Sequence, residues 1–180
     1  MILPYNGIFP KIAEDAYLLE PVVVVGDVII ESGASVWFHT VIRGDVGPIR
    51  IGARTNIQDL CMLHCTKGVS SCIIEEEVTV GHRAVIHGAY LHKRCLIGMG
   101  AVILDNAEIG EEAMVGAGAL VPQGAKIPPR TLALGVPAKV VRELTESEIE
   151  SLAISAQHYE EYARQYYALL CPERRQGCMR

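Results

Sequence analysis

The sequence is poor in aromatic side chains, long apolar runs, excess positive charge and paired cysteines. Aromatic residues make up only 6% of the chain although half of it is hydrophobic, so aliphatic residues, alanine and glycine must fill the interior. The formal net charge of −5 argues against a nucleic-acid-binding surface. No apolar run approaches the roughly 20 residues of a membrane span. The first residues lack a basic segment followed by an apolar stretch, so we predict no signal peptide.

The six cysteines show neither a CxxC pair nor the spacing of a disulfide framework. We therefore expect a soluble cytoplasmic protein with reduced thiols, in which Cys61, Cys72 and Cys95 are small apolar core residues. The 180 residues are enough for one domain with a substantial core.

A repeat of six residues runs through the chain. Large aliphatic residues recur every six positions at Ile97, Ile103, Ile109, Val115, Val121 and Ile127, and alanine stands four residues after each of the first five. The same spacing runs from Ile12 to Ile42. A six-residue unit fits one short strand plus a turn, and three units close a triangular coil of about 18 residues. Stacked coils would pair their strands in parallel, so the sequence predicts an all-β fold, a parallel β-helix.

The period changes towards the C-terminus. Thr145 and Glu148 match the T-x-x-E capping box, and apolar residues between 149 and 170 then alternate by three and four, which indicates one face of a helix. We predict a β-helix domain over residues 1–140, an α-helix over 141–170 and a frayed tail over 171–180.

The six-residue spacing is interrupted between residues 42 and 51, 63 and 74, and 86 and 91. Departures in an otherwise regular sequence are where function is expected. His64 and His87 lie in two of these interruptions, and His82 lies two residues after an inward position, so all three should point outward. Outward side chains of one convex prism can hardly surround an ion, whereas two prisms side by side can. We therefore predict a metal site shared between subunits.

Four segments carry a resemblance to a known family: "RGD" at 43–45, "NIQD" at 56–59, "LH" at 63–64 and "GHRAVIHG" at 81–88. They resemble the γ-class carbonic anhydrases, most closely the short-loop branch that includes proteins linked to phenylacetate degradation and carnitine metabolism. The resemblance covers nearly the whole chain. It implies a left-handed coil and a homotrimer with three interfacial metal sites.

In that family each site takes two histidines from one subunit, matching His64 and His87, and one from its neighbour, matching His82. Three neutral imidazoles leave Zn²⁺ an open position for water, and Fe²⁺ or Co²⁺ are alternatives. The implied reaction is the reversible hydration of CO₂ to bicarbonate by a metal-bound hydroxide.

The resemblance also assigns roles to polar residues around the histidines. Gln58 matches the residue that hydrogen-bonds the attacking oxygen. Arg43 and Asp59 match an ion pair across the subunit interface, and Asp45 matches a further interfacial carboxylate.

Asn56 and Tyr159 match residues that line the pocket.

Two departures from the family concern proton export, which limits regeneration of the hydroxide. Val46 stands where the most active members carry a glutamate, and residues 65–74 contain no carboxylate. The sequence thus predicts an intact metal site with weak proton transfer.

Other function classes fit the same prism. Hexapeptide acyltransferases share it, with endings like "GVPAK" at 135–139, but need one histidine base and no metal. A metal-dependent thioesterase, or a metal-stabilised trimeric scaffold or binding protein without catalysis, also remains open. If the protein is an enzyme, it requires a small-molecule substrate. We predict neither a nucleic-acid nor a membrane partner.

Overall fold

The structure is a computed structural model that describes residues 1–170. Within this range, short strands follow one another along the chain and a single long helix comes last. In chain order the elements are β1 (Ile2–Leu3), β2 (Lys11–Ile12), β3 (Tyr17–Leu18), β4 (Val23–Ile30), β5 (Ser35–Val36), β6 (Val41–Ile51), β7 (Asn56–Ile57), β8 (Met62–His64), β9 (Cys72–Ile74), β10 (Thr79–Val80), β11 (Val85–His87), β12 (Tyr90–Leu91), β13 (Leu96–Ile97), β14 (Val102–Ile103), β15 (Glu108–Ile109), β16 (Met114–Val115), β17 (Leu120–Val121), β18 (Lys126–Ile127), β19 (Thr131–Gly135), β20 (Ala138–Glu143) and α1 (Glu146–Leu170).

The strands stack in parallel, one coil upon the next. Leu96 of β13 lies opposite Met114 of β16, and Val102 of β14 lies opposite Leu120 of β17. In each pair the two residues are 18 positions apart, which is three units of six. The chain is therefore a parallel β-helix of hexapeptide repeats with a C-terminal α-helix, and the predicted all-β fold class is confirmed.

The residues of the six-residue repeat form the core. Ile97, Ile103 and Ile109 are completely buried, as are Ala101 and Ala107 between them. Burying a large aliphatic side chain stabilises the fold by roughly 1.5–3 kcal/mol. The alternation of large and small residues lets successive coils pack closely on one another.

Two of the three interruptions of the repeat have different structural causes. Between residues 42 and 51 the chain makes no turn, because β6 continues for 11 residues. It pairs with β4 near both of its ends, with β8 at its start and with β9 at its end. Between residues 63 and 74 a loop over 65–71 joins β8 to β9.

Four cysteines are buried and free: Cys61, Cys65, Cys72 and Cys95. Burial raises the pKa of the Cys61 thiol to about 12 and that of Cys65 to about 11. These thiols therefore stay protonated and act as small apolar residues. Cys171 and Cys178 lie outside the described residues.

Two features separate the coil from the helix. The strands β19 and β20 form an antiparallel hairpin, which the repeat did not predict. The capping box then forms as predicted: Glu148 Oε2 accepts from the backbone N–H of Thr145 at 2.9 Å, and Thr145 Oγ1 accepts from that of Glu148 at 3.3 Å. The division into domains at residue 140 stays a prediction, and the frayed tail over 171–180 lies outside the described residues.

The helix α1 packs on the coil through part of its predicted apolar face. Leu152, Ala156 and Ala163 are buried, whereas Tyr166 and Leu170 remain exposed. Among residues 1–170, no helix has the length and apolar character required to cross a membrane.

Candidate metal centre

His64 and His87 end two neighbouring strands, β8 and β11, and lie opposite each other in the parallel register. Neighbouring strands are about 4.8 Å apart, so the two outward rings meet on the surface. His64 Nδ1 lies 3.3 Å from His87 Nε2. The side chains are 15% and 28% exposed, so both rings lie partly at the surface.

The far side of the His64 ring is held by Asp45. His64 Nε2 lies 3.0 Å from Asp45 Oδ1, and the guanidinium of Arg43 donates to the other carboxylate oxygen. Burial raises the pKa of Asp45, but the hydrogen bonds from Arg43 and His64 outweigh it and lower the pKa below its ordinary value. Asp45 is therefore a carboxylate that accepts the N–H of His64.

The far side of the His87 ring is held by Asp105, a residue that the sequence analysis missed. His87 Nδ1 lies 3.1 Å from Asp105 Oδ1. Thr66 Oγ1 donates to Asp105 Oδ2 at 2.8 Å, and Ser70 Oγ donates to Asp105 Oδ1. Burial raises the pKa of Asp105, but these hydrogen bonds lower it overall. The available signal was its position 18 residues after His87, one coil further along.

These carboxylates determine which ring nitrogens stay free. In the neutral rings, Asp45 takes the N–H of His64 Nε2 and Asp105 takes that of His87 Nδ1, so the unprotonated nitrogens are those that face each other at 3.3 Å. Two lone pairs repel unless a cation lies between them. Ligands of a tetrahedral zinc, each about 2.0–2.1 Å from the metal, are about 3.3 Å apart. This donor pair therefore fits a divalent metal.

His82 belongs to a different group of side chains. It lies in the turn between β10 and β11, and its Nδ1 is 2.7 Å from Asp59 Oδ2. Its Nε2 lies 3.4 Å from the hydroxyl of Tyr159, and the side chain is 40% exposed. The third predicted ligand thus also has one nitrogen on a carboxylate and one directed outward.

A buried amide network supports the turn that carries His82. Gln58 Oε1 accepts from the backbone N–H of His82 at 3.1 Å, and Gln58 Nε2 donates to Asn56 Oδ1 at 3.1 Å. Asn56 Nδ2 donates in turn to Thr79 Oγ1 at 2.9 Å. By bond count the Gln58 side chain keeps one lone pair and one hydrogen for a further partner.

An aromatic depression of about 370 Å³ adjoins His82. The ring of Tyr159 from α1 packs edge-on against Trp37, with centroids 5.4 Å apart. Burial, followed by the nearby charge of Asp59, raises the pKa of Tyr159. The terminal helix thereby places a protonated phenol beside the outward nitrogen of His82.

The predicted site residues fall into two groups within one chain. We call Arg43, Asp45, His64, His87 and Asp105 the paired-histidine half-site. We call Asn56, Gln58, Asp59, His82 and Tyr159 the single-histidine half-site. Over residues 1–170 of one chain, no three or more His, Cys, Asp and Glu side chains are grouped so that they could hold a metal ion.

Comparisons with known proteins agree with this architecture. Residues 88–123 match the family described as bacterial transferase hexapeptide (six repeats). The chain is 54% identical to a carbonic anhydrase of Geobacillus kaustophilus over 94% of its length and 92% of the relative's. It is 41% identical to the mitochondrial gamma carbonic anhydrase 2 of Arabidopsis thaliana, over 83% of this chain and 56% of that protein.

Among solved structures, a hexapeptide transferase family protein from Anaplasma phagocytophilum superposes with a TM-score of 0.89. The two chains are 36% identical, and the match covers 92% of this chain and 98% of the other. The prism is therefore shared by relatives that carry carbonic anhydrase names and by others that carry transferase names.

Proposed function

Because this chain belongs to the γ-class carbonic anhydrase-like family of hexapeptide-repeat proteins, we propose that it is a metal-dependent carbonic anhydrase. It would interconvert CO₂ and bicarbonate at sites shared between the subunits of a homotrimer. The observation that carries this proposal is the 3.3 Å separation of His64 Nδ1 and His87 Nε2.

The two half-sites supply the ligands. His64 would bind the metal through Nδ1 and His87 through Nε2, and His82 of an adjacent subunit would add its Nε2, the nitrogen that Asp59 leaves free. This division supports the shared site, since the structure places His82 with a different set of side chains. Zn²⁺ suits three imidazoles, with Fe²⁺ or Co²⁺ as alternatives.

A bound divalent metal supplies Lewis acidity that lowers the pKa of a water ligand to about 7, a value known from carbonic anhydrases themselves rather than derived from this structure. The protein's own residues orient the reactants. Gln58 would hydrogen-bond the attacking oxygen with its remaining lone pair or hydrogen, while Asn56 fixes the Gln58 amide. Tyr159 would cover the pocket from the helix side.

The carboxylates act through the histidines. Asp45 and Asp59 each accept a ring N–H, which fixes the tautomer of His64 and His82 respectively. Arg43 pairs with Asp45 within the chain and is 40% exposed, so its remaining N–H groups are available to Asp59 of an adjacent subunit. That ion pair across the interface stays a prediction.

Proton export is the weak step of the proposed reaction. Val46, next to Asp45, packs partly buried against the core, and the loop over 65–71 contains no carboxylate. Regeneration of the nucleophile requires a proton acceptor, so hydration should depend on the buffer.

The cytoplasmic location with reduced thiols also stays a prediction.

The direct test is stopped-flow CO₂ hydration on anaerobically purified protein, with metal content measured on the same sample. We expect hydration that scales with metal content and is lost in His87→Ala. A sample with a full metal complement and no hydration would instead support the non-catalytic scaffold or the metal-dependent thioesterase.

Acyl transfer is the second candidate, because the chain matches the hexapeptide transferase family and a solved structure with a transferase name. Calorimetric titration with acetyl-CoA, combined with an acetylation assay on small amines, separates the two. We expect no tight binding and no transfer. Micromolar binding, with transfer that survives chelation and His82→Ala, would favour the acyltransferase.

A further inference from the structure

Asp105 and the loop over 65–71 surround the outer side of His87. We propose that Asp105 is a positioning residue of the metal site, which holds His87 in the tautomer and orientation that direct Nε2 towards His64. This inference rests on the proposed function, because it concerns one ligand of the same site. The resemblance assigned no role to Asp105.

The contact geometry supports this role. Asp105 Oδ1 lies 3.1 Å from His87 Nδ1, and the carboxylate is only 16% exposed. A carboxylate that accepts Nδ1–H stabilises the tautomer whose lone pair is on Nε2. Without it, the ring could adopt either tautomer and turn away from His64.

The loop over 65–71 anchors the carboxylate. Thr66 Oγ1 donates to Oδ2 at 2.8 Å and Ser70 Oγ donates to Oδ1. Ser70 Oγ also accepts from the backbone N–H of Thr66 at 3.0 Å, so the two loop residues are fixed relative to each other. In place of acidic groups, the loop therefore contributes two hydroxyl donors that hold Asp105 in place.

Gly88 leaves the space that this arrangement needs. A Cβ at position 88 would lie 2.0 Å from Ser70 Oγ and 2.2 Å from Asp105 Oδ1, which real Cβ atoms do not tolerate. Its φ of +62° also disfavours other residues. The glycine directly after His87 thus allows the loop and the carboxylate to close on the ring.

Each candidate ligand then has its own carboxylate: Asp45 for His64, Asp59 for His82 and Asp105 for His87. A histidine elsewhere on the coil provides a matched control. His92 Nε2 lies 3.0 Å from Glu108 Oε1, a comparable pair outside both half-sites. Glu108→Gln therefore removes the charge of a histidine-bound carboxylate without touching a candidate ligand.

The first measurement is the Zn²⁺ dissociation constant, obtained by competition with a chromophoric chelator. Loss of a carboxylate that orients a metal-bound histidine typically weakens metal binding 10–100-fold, in carbonic anhydrase among other zinc proteins. We expect a weakening of about that size in Asp105→Ala and less in Asp105→Asn, whose side-chain oxygen can still accept Nδ1–H. Glu108→Gln should bind like the parent protein.

The second measurement needs no metal. Ring ¹⁵N NMR of metal-free protein labelled at histidine should show His87 protonated at Nδ1 in the parent and in Asp105→Asn, and a mixture of tautomers in Asp105→Ala. An unchanged tautomer together with an unchanged Zn²⁺ affinity in Asp105→Ala would overturn the positioning role. If the parent binds Zn²⁺ but hydrates no CO₂, the proposed function fails while this inference survives.

Discussion

His64 Nδ1 lies 3.3 Å from His87 Nε2 although the two residues are 23 positions apart in the chain. A regular coil would bring together residues 18 apart, as it does for Leu96 and Met114. The loop over 65–71 lengthens this coil, so that His87 rather than an earlier residue stands opposite His64. The interruption of the repeat therefore creates the donor pair, and it also supplies the hydroxyl groups that anchor Asp105.

The core repeat leads to a stability prediction. Ile103 is completely buried between successive coils, so Ile103→Ala should lower the free energy of unfolding by about 2–5 kcal/mol through lost transfer energy and a residual cavity. Urea unfolding at fixed protein concentration measures the loss. Val136→Ala, at a side chain 70% exposed, is the control and should change little. Equal effects of the two substitutions would contradict the core assignment.

Because Val46 cannot accept a proton, we expect the rate of CO₂ hydration to depend on the buffer. If proton export limits turnover, small imidazole buffers should raise the rate without changing metal content, and Val46→Glu should replace part of that effect. We expect a gain of up to about tenfold in weak buffer, below the 10²–10⁴-fold that well-positioned acid–base groups contribute. Stopped-flow hydration in both buffers measures it, with Val46→Gln as the uncharged control. Measurable hydration at equal rates in both buffers would refute this explanation.

The charged side chain of Glu148 should stabilise the start of α1 by an amount that depends on pH. Hydrogen bonds from Arg142 and then Thr145 lower its pKa from 4.5 to about 2. A carboxylate with a lowered pKa stabilises the folded state above its unfolded pKa, and this stabilisation is lost as the pH falls through the folded pKa. Glu148→Gln keeps the capping box but not the charge.

The stability difference between the parent and Glu148→Gln should therefore be largest at neutral pH and shrink as the pH falls from about 4.5 towards 2. It should be small, and smaller still in high salt, because the ion pair is exposed to solvent. Urea unfolding at pH 7, 5 and 3.5 measures the trend. A difference that stays constant over this range would show that the charge of Glu148 has no part in it.

Much of the fold could be predicted from the sequence because one spacing controls burial. The alternation of Ile97, Ala101 and Ile103 fixes which side chains point inward, and all three are completely buried. The hairpin of β19 and β20 was not predictable from the same rule, since its strands pair antiparallel and do not follow the six-residue period. The handedness came from the family resemblance, because a period alone does not define it.

The site was predictable only in part. Outward positions for His64, His82 and His87 followed from the repeat, and the structure confirms that their side chains are partly exposed. Asp105 was missed because it stands in a regular unit of the repeat rather than in an interruption, although its position 18 residues after His87 placed it on the next coil. The metal-binding roles of His64, His82 and His87, and the division of these ligands between subunits, stay predictions.

The shared site is the central claim, and complementation between two inactive variants tests it most directly. Homotrimers of His64→Ala and of His82→Ala should each lose nearly all bound metal, because every site then lacks one ligand. In mixed trimers, a site is restored where a His82→Ala chain supplies His64 and His87 and its neighbour, a His64→Ala chain, supplies His82. Equal, random mixing in a cyclic trimer gives this arrangement at about a quarter of the interfaces.

The measurement is therefore the metal content and CO₂ hydration rate of the two variants after they are unfolded and reassembled together. Each variant reassembled alone is the control for refolding. We predict that about a quarter of the parent metal content returns in the equal mixture, with hydration in proportion. No recovery at any mixing ratio, in trimers shown to contain both chains, would contradict the shared site.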